Sequence, residues 1–247
     1  RVADNIADSD EAVEIKRRKF LYFQDNFNNQ KFDDPVIKNM WKLIKEFHIP
    51  LKVVQDLLDG INSDIQKNIK LNKKKDLLLY SYRVAGTVGL MMAKILRVNK
   101  KSSLKSAIDL GIAMQLTNIS RDVVEDLNFG RSYINLNFEE IKSTIQLSES
   151  YYENSFYSIK QIPFTFRFAI LVARRVYRKI GYKILKKQNL ENYKKSGKIY
   201  VSNIEKIIET LLSIFDLIKL SLISKNDDNI EHDHNLINEE INLDERI

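Results

Sequence analysis

Only seven glycines and three prolines punctuate the 247 residues, so the chain has few places at which to turn back on itself. A β-sandwich needs a turn signal about every 8–12 residues. Breakers this scarce leave an almost entirely helical chain. Apolar spacing and punctuation predict helices over residues 1–27, 35–47, 50–71, 75–96, 103–129, 148–160, 164–187 and 202–223. Asp33-Asp34-Pro35 and Pro50 mark two of the starts, because proline fits the first turn of a helix. No internal repeat is evident. Residues 1–224 read as the folded domain. Residues 225–247 read as a polar, mostly acidic, disordered tail with little amphipathic period. Within that tail, Glu231-His232-Asp233-His234 offers metal-binding side chains, and a solvated segment is the expectation there.

Composition narrows the chemistry. The chain has no cysteine, which excludes disulfides, thiolate metal sites and thiol nucleophiles and agrees with a reducing cytoplasm. No apolar run approaches the ~18 residues of a membrane span. The net charge of +7 comes from lysines dispersed over many helices, as a solvated surface carries them. A nucleic-acid binder would cluster arginines and aromatics on one face, so no nucleic-acid partner is expected.

The most informative stretch is residues 108–126. At about 100° per residue, Gln115, Asn118, Asp122 and Asp126 fall within an arc of roughly 80°. Leu110, Ile112, Ala113, Leu116, Ile119, Val123 and Val124 make nearly every other side apolar, so the helix is buried. Buried carboxylates need a cationic partner. Oxygen donors without His or Cys suit a hard divalent cation such as Mg²⁺, while Lys or Arg from a neighbouring helix is the alternative. Asp4 and Asp8 repeat the i, i+4 spacing and place a second carboxylate pair on one helix face. Two such pairs point to opposed acidic rims gripping metal ions and a diphosphate. Tyr80, Val84, Thr87 and Met91 share one face of another helix, and with Ala85 they form a largely apolar wall. Gly86 and Gly89 inside that helix allow either close helix packing or close approach of a ligand.

These residues carry a resemblance. Residues 80–92, Tyr-Ser-Tyr-Arg-Val-Ala-Gly-Thr-Val-Gly-Leu-Met-Met, resemble a tyrosine-rich signature of the squalene/phytoene synthase family, nearest its bacterial phytoene synthase branch. Residues 110–126, followed by Gly130-Arg131-Ser132-Tyr133, are similar to its second signature. Asp4-Asn5-Ile6-Ala7-Asp8 resembles the first aspartate-rich motif, with Asn5 where the family usually has Asp. The likeness runs from residue 1 to about residue 212. The family carries a further segment before the first motif, and a chain opening on Arg1 rather than Met is expected to lack upstream sequence.

The resemblance implies an all-α isoprenoid synthase (terpenoid synthase) fold around a central cavity. It implies head-to-head condensation of two geranylgeranyl diphosphates, through a cyclopropyl diphosphate, to phytoene. Squalene or dehydrosqualene synthesis from farnesyl diphosphate is the alternative, and a non-catalytic assembly factor is the alternative of another class. By the same resemblance Asp4, Asp8, Asn118, Asp122 and Asp126 hold Mg²⁺, with Mn²⁺ as its substitute. Arg1, Arg121, Gln115, Asn118 and Tyr193 contact diphosphate, and Tyr80 guides proton removal or steadies the cation. A basic protein with a greasy substrate is expected in the cytoplasm, peripherally on the inner membrane face. The oligomeric state is not legible.

Overall fold

The structure, a computed structural model, describes residues 2–66, 68–222, 232 and 234–247. Its order is α1 (Val2–Ala7), α2 (Val13–Asn28), α3 (Pro35–Glu46), α4 (Leu51–Ser63), β1 (Ile69–Lys70), α5 (Lys74–Ser81), a π-helical turn (Tyr82–Gly86) and α6 (Thr87–Ile95). Then come α7 (Lys101–Asn128), β2 (Arg131–Ser132), α8 (Phe138–Phe156), a 3₁₀ turn (Tyr157–Gln161), α9 (Phe164–Leu185), α10 (Leu190–Lys195), α11 (Asn203–Leu222), α12 (Asn235–Asn238) and a last 3₁₀ turn (Leu243–Glu245). The all-α expectation holds among the described residues apart from one two-residue parallel pairing, Ile69 with Arg131 and Lys70 with Ser132.

Local chemistry explains most boundaries. Asp34 caps α3, its Oδ1 accepting from the Val36 amide at 2.7 Å, with Pro35 in the first turn. The first predicted helix is two helices, because Ser9 turns back on the Ile6 carbonyl at 3.0 Å and ends α1. The third predicted helix, α4, stops at Ser63 rather than residue 71. Helix α8 starts ten residues earlier than expected, capped by Asn137, whose side chain accepts from the Glu139 amide at 2.9 Å.

Helix α7, about 42 Å long at 1.5 Å per residue, is the axis of the fold. It packs on α6, α8 and α9. Against α6 and the π turn before it the backbones nearly touch: a Cβ on Gly89 would lie 2.1 Å from the Ala107 carbonyl oxygen, and one on Gly111 2.3 Å from that of Ala85. Close helix packing is therefore what Gly89 provides.

Helix α11 is amphipathic in the inverted sense. Glu205, Glu209 and Asp216 turn inward to Lys183, Arg175 and Lys179 of α9, at 2.7–3.2 Å. Outward, Ile204, Ile207, Ile208, Leu211, Ile214, Phe215, Ile218 and Leu222 are 44–78 % exposed.

The C-terminal segment corrects the expectation of a disordered tail, within the described residues. Ile237, Ile241 and Leu243 are buried in the main core. Lys75 pairs with Glu239 and Glu240, and Lys105 with Asp244. The Arg246 guanidinium grips Asp56 of α4 through two hydrogen bonds of 2.9 and 3.2 Å. Three buried apolar anchors in a polar run are enough to dock it. Residues 223–231 and Asp233 lie outside the described residues, as does the part of the expectation that falls on them.

Candidate active site

Two cavities meet beside α7. The first, of about 390 Å³, is lined almost wholly by apolar groups of the π turn, α6, α7 and α9, among them Val84, Val88, Met92, Leu110, Met114 and Ile170. The second, of about 300 Å³, is polar, and Asp4, Asp8, Asp64, Asp122, Asp126, Arg121 and Arg131 surround it. Val84, Gln115 and Asn118 line both, so an apolar chamber opens through a shared neck into an acidic mouth.

The α7 stripe and the α1 pair thus line one mouth. Arg1 lies outside the described residues. Five aspartates face two arginines around the polar cavity. Arg121 pairs with its neighbour Asp122, Nε to Oδ1 at 2.8 Å, Lys198 reaches Asp122 at 3.5 Å, and Arg131 holds Asp8 at 3.0 Å. Among the described residues, the acids lining the mouth outnumber these cations. Burial, then the Asp122 charge, pushes the Asp126 carboxyl up to about 7. The Asn118 Oδ1 is buried without a hydrogen-bond partner. Crowded carboxylates and an orphaned amide oxygen form an all-oxygen donor set, which fits a hard divalent cation.

The expected wall is corrected by one residue. Val84 and Ala85 line the chamber, but Thr87 and Met91 turn into the core, and Val88 and Met92 replace them. The cause is the π turn. At about 100° per residue, Met92 would stand 120° from Tyr80 on a regular helix, and absorbing one extra residue brings it within about 20°. The Thr87 hydroxyl is spent on the Arg83 carbonyl at 2.7 Å.

Tyr80 lies at the mouth as expected, with partners the sequence did not reveal. Its hydroxyl donates to Asp64 Oδ2 at 2.9 Å, and the Tyr133 hydroxyl donates to Asp64 Oδ1 at 2.8 Å. The two rings stack with centroids 4.6 Å apart. Burial raises the Tyr80 phenol far above its ordinary value, and the Asp64 charge adds to it, so Tyr80 keeps its proton. Burial likewise pushes Asp64 up to about 6, against the hydrogen bonds from the two tyrosines. Asp64 carried no signal in the sequence. It follows α4 in a turn, and the β1–β2 pairing draws that turn toward Tyr133.

Tyr193 is placed differently from the other site residues. It is buried, and its hydroxyl lies 2.9 Å from both the Ser120 and Arg121 carbonyl oxygens of α7. It borders an adjoining small cavity with Arg121, Asp122 and Lys198 rather than the polar mouth.

Comparisons with known proteins agree with this geometry. A sequence model of the family described as squalene/phytoene synthase matches residues 1–137. The 15-cis-phytoene synthase of Pantoea ananas is 37 % identical over 150 residues, 52 % of this chain and 48 % of that protein. The phytoene synthase of Pseudescherichia vulneris is 32 % identical over 179 residues, 64 % of this chain and 58 % of that one. The chain thus spans about half the length of the curated relatives it matches. Among solved structures, a dehydrosqualene synthase in complex with ligand superposes with a TM-score of 0.65 at 28 % identity, covering 88 % of this chain and 83 % of its own. A squalene synthase from Alicyclobacillus acidocaldarius, at 15 % identity and a TM-score of 0.64 over 77 % of this chain and 79 % of its own, shares the fold. The all-α isoprenoid synthase architecture and an acid-rimmed chamber come together in one molecule, and the chain belongs to the squalene/phytoene synthase family.

Proposed function

We propose that residues 1–224 carry the catalytic site of a head-to-head prenyl transferase of the phytoene synthase type, joining two geranylgeranyl diphosphates in carotenoid biosynthesis. The observation that carries this reading is the apolar chamber opening through Gln115 and Asn118 into the acidic mouth. Prenyl tails fit the former and diphosphates the latter, so the carbon–oxygen bond to be broken lies at the neck. Asp4, Asp8, Asn118, Asp122 and Asp126 would hold Mg²⁺ or Mn²⁺, which supplies Lewis-acid neutralisation of the departing diphosphate.

The chain's own groups do the rest. Arg121 and Arg131 at the mouth bind diphosphate oxygens. Val84, Val88, Met92 and Met114 exclude water from the allylic cation while the double bond of the second substrate attacks it. Loss of a proton closes the cyclopropane, and a second ionisation with rearrangement and proton loss gives a conjugated triene. The stacked Tyr80 and Tyr133 rings stabilise positive charge. Asp64, ionised above about pH 6, keeps the Tyr80 hydroxyl aimed and can take its proton as the phenol accepts one from substrate. Retention of all four motif aspartates weighs against a non-catalytic assembly factor.

A squalene or dehydrosqualene synthase using farnesyl diphosphate is the second reading, favoured by the likeness to the dehydrosqualene synthase structure. We further propose reversible association with the inner membrane face in the cytoplasm. The outward apolar face of α11 and the net charge of +7 support it. No helix of the described residues is long and apolar enough to cross a membrane.

The test is to incubate the chain with Mg²⁺ and either geranylgeranyl or farnesyl diphosphate and to weigh the product. Phytoene is the expected product from the C20 substrate, lost in Asp122→Ala with the helical circular dichroism retained. A folded protein that turns over neither substrate, or an Asp122→Ala variant of near-normal activity, overturns the proposal.

A further inference from the structure

Asp109 lies in the middle of α7, about 120° around the helix from Gln115 and so off the catalytic stripe. Its side chain is fully buried. Both oxygens are engaged from the C-terminal segment: Oδ1 lies 2.6 Å from His234 Nε2 and Oδ2 lies 2.7 Å from His232 Nδ1. Burial alone would raise the Asp109 carboxyl, but the two imidazoles outweigh it and hold it lowered.

We infer that Asp109, His232 and His234 form a binding site for one transition-metal ion of the zinc type, which pins the C-terminal segment across α7. The three ligand atoms lie within 4.8 Å of one another. A tetrahedral ion with bonds of about 2.0–2.2 Å sets its ligand atoms roughly 3.3 Å apart, so each N···O contact opens by about 0.6 Å. Two imidazole nitrogens and one carboxylate oxygen are a borderline-soft set with room for a fourth ligand, unlike the all-oxygen mouth.

On the far edges of the rings, His232 Nε2 and His234 Nδ1 are buried and have no hydrogen-bond partner among the described residues. Each ring is nine-tenths or more buried, and its hydrogen bond is made on the edge facing Asp109, where the ion would sit. The backbone holds the two histidines together as well, the His234 amide donating to the His232 carbonyl oxygen at 3.1 Å. Their rings stack with centroids 5.4 Å apart.

Loading the site would tighten a strap that also reaches the catalytic wall. Beyond the histidines the segment buries Ile237, Ile241 and Leu243 and ends with Arg246 on Asp56. Asp56 Oδ2 in turn accepts from Tyr82, the first residue of the π turn, at 2.8 Å.

The experiment uses the untagged chain, stripped with a chelator and titrated with Co²⁺ and then Zn²⁺. One equivalent of Co²⁺ should give the intense visible bands of tetrahedral coordination, displaced by Zn²⁺ and not by excess Mg²⁺, and Zn²⁺ should raise Tm. His234→Gln and Asp109→Asn should lose both effects, and Asp122→Asn should keep them. His234→Cys, which restores a ligand, should bind Co²⁺ with an added sulfur-to-metal charge-transfer band, so the proposal stays testable if Asp109→Asn fails to fold. The inference is overturned if Co²⁺ gives no tetrahedral bands, or if bands persist unchanged in folded His234→Gln. Neither result bears on the prenyl-transfer reading.

Discussion

Replacing Asp64 by Asn tests the electrostatics of the mouth on a residue with no counterpart among the metal-binding candidates. Burial lifts the Asp64 carboxyl from its ordinary 3.8 to about 6. In the unfolded chain it ionises near 3.8, so between those two values the native state binds one more proton than the unfolded state. The contribution of Asp64 to stability is therefore most favourable below pH 3.8, falls as pH rises through about 6, and is level above that. A shift of about two units at 1.36 kcal/mol each makes the penalty about 3 kcal/mol at neutral pH. Asparagine removes the charge and keeps the geometry, since its oxygen can accept from one tyrosine and its amide can donate to the other hydroxyl. Urea unfolding of metal-free protein should show the variant gaining on the wild type by about 3 kcal/mol between pH 4 and pH 7. Asp126 titrates in both proteins and largely cancels from the difference. Turnover should fall even so, because an amide cannot take the Tyr80 proton. A difference in stability that stays flat with pH would refute the claim that Asp64 is held ionised at a cost.

Three further outcomes are expected. Because burial and Asp122 push Asp126 up to about 7, Mg²⁺ must displace a proton below that pH, so its apparent affinity should fall on acidification; calorimetry in buffers of different ionisation enthalpy that finds no proton release would contradict this. Gly111→Ala puts a Cβ 2.3 Å from the Ala85 carbonyl oxygen and must part the π turn from α7 by about 1 Å, at a cost of about 1–3 kcal/mol. Its Tm should drop by roughly 2–10 °C in calorimetry, and an unchanged Tm would mean that the helices are not in backbone contact. Leu211→Glu, in the centre of the outward α11 stripe, should abolish flotation with anionic vesicles without changing turnover of detergent-dispersed substrate; a variant that floats like the wild type places the membrane contact elsewhere.

The parts of the molecule legible in the sequence are those governed by local period. The α7 stripe was readable because four polar side chains at helical spacing interrupt an otherwise apolar helix, and the structure turns all four toward the cavities. Asp34-Pro35 and Pro50 marked helix starts because each acts within one turn. What escaped depends on residues far apart in the chain. Asp64 acquires its role from Tyr80 and Tyr133, 16 and 69 positions away. The C-terminal segment looked disordered because its anchors Ile237, Ile241 and Leu243 are diluted among Asn and Glu, and its main polar contacts are with Asp56 and Asp109. Average polarity measures a segment's own composition and is blind to complementary groups waiting on the body of the fold.

The π turn is where this limit matters most for chemistry. Had Lys74–Ser81 continued into Thr87–Ile95 with regular spacing, Thr87 would present its hydroxyl to the chamber beside Val84. A hydroxyl there is a nucleophile within reach of an allylic cation, and a polar site able to hold water. One extra residue per turn rotates Thr87 into the core, where its hydroxyl bonds the Arg83 carbonyl, and brings Val88 and Met92 to the wall. Two serine hydroxyls that line the chamber are occupied in the same manner, Ser158 on Ser106 at 2.7 Å and Ser155 on the Tyr152 carbonyl at 2.9 Å. Tyr82, at the start of the turn, is itself fixed by Asp56, and Asp56 by Arg246. The apolar lining of the chamber is therefore a property of helix phase, and the phase is braced from the far end of the chain.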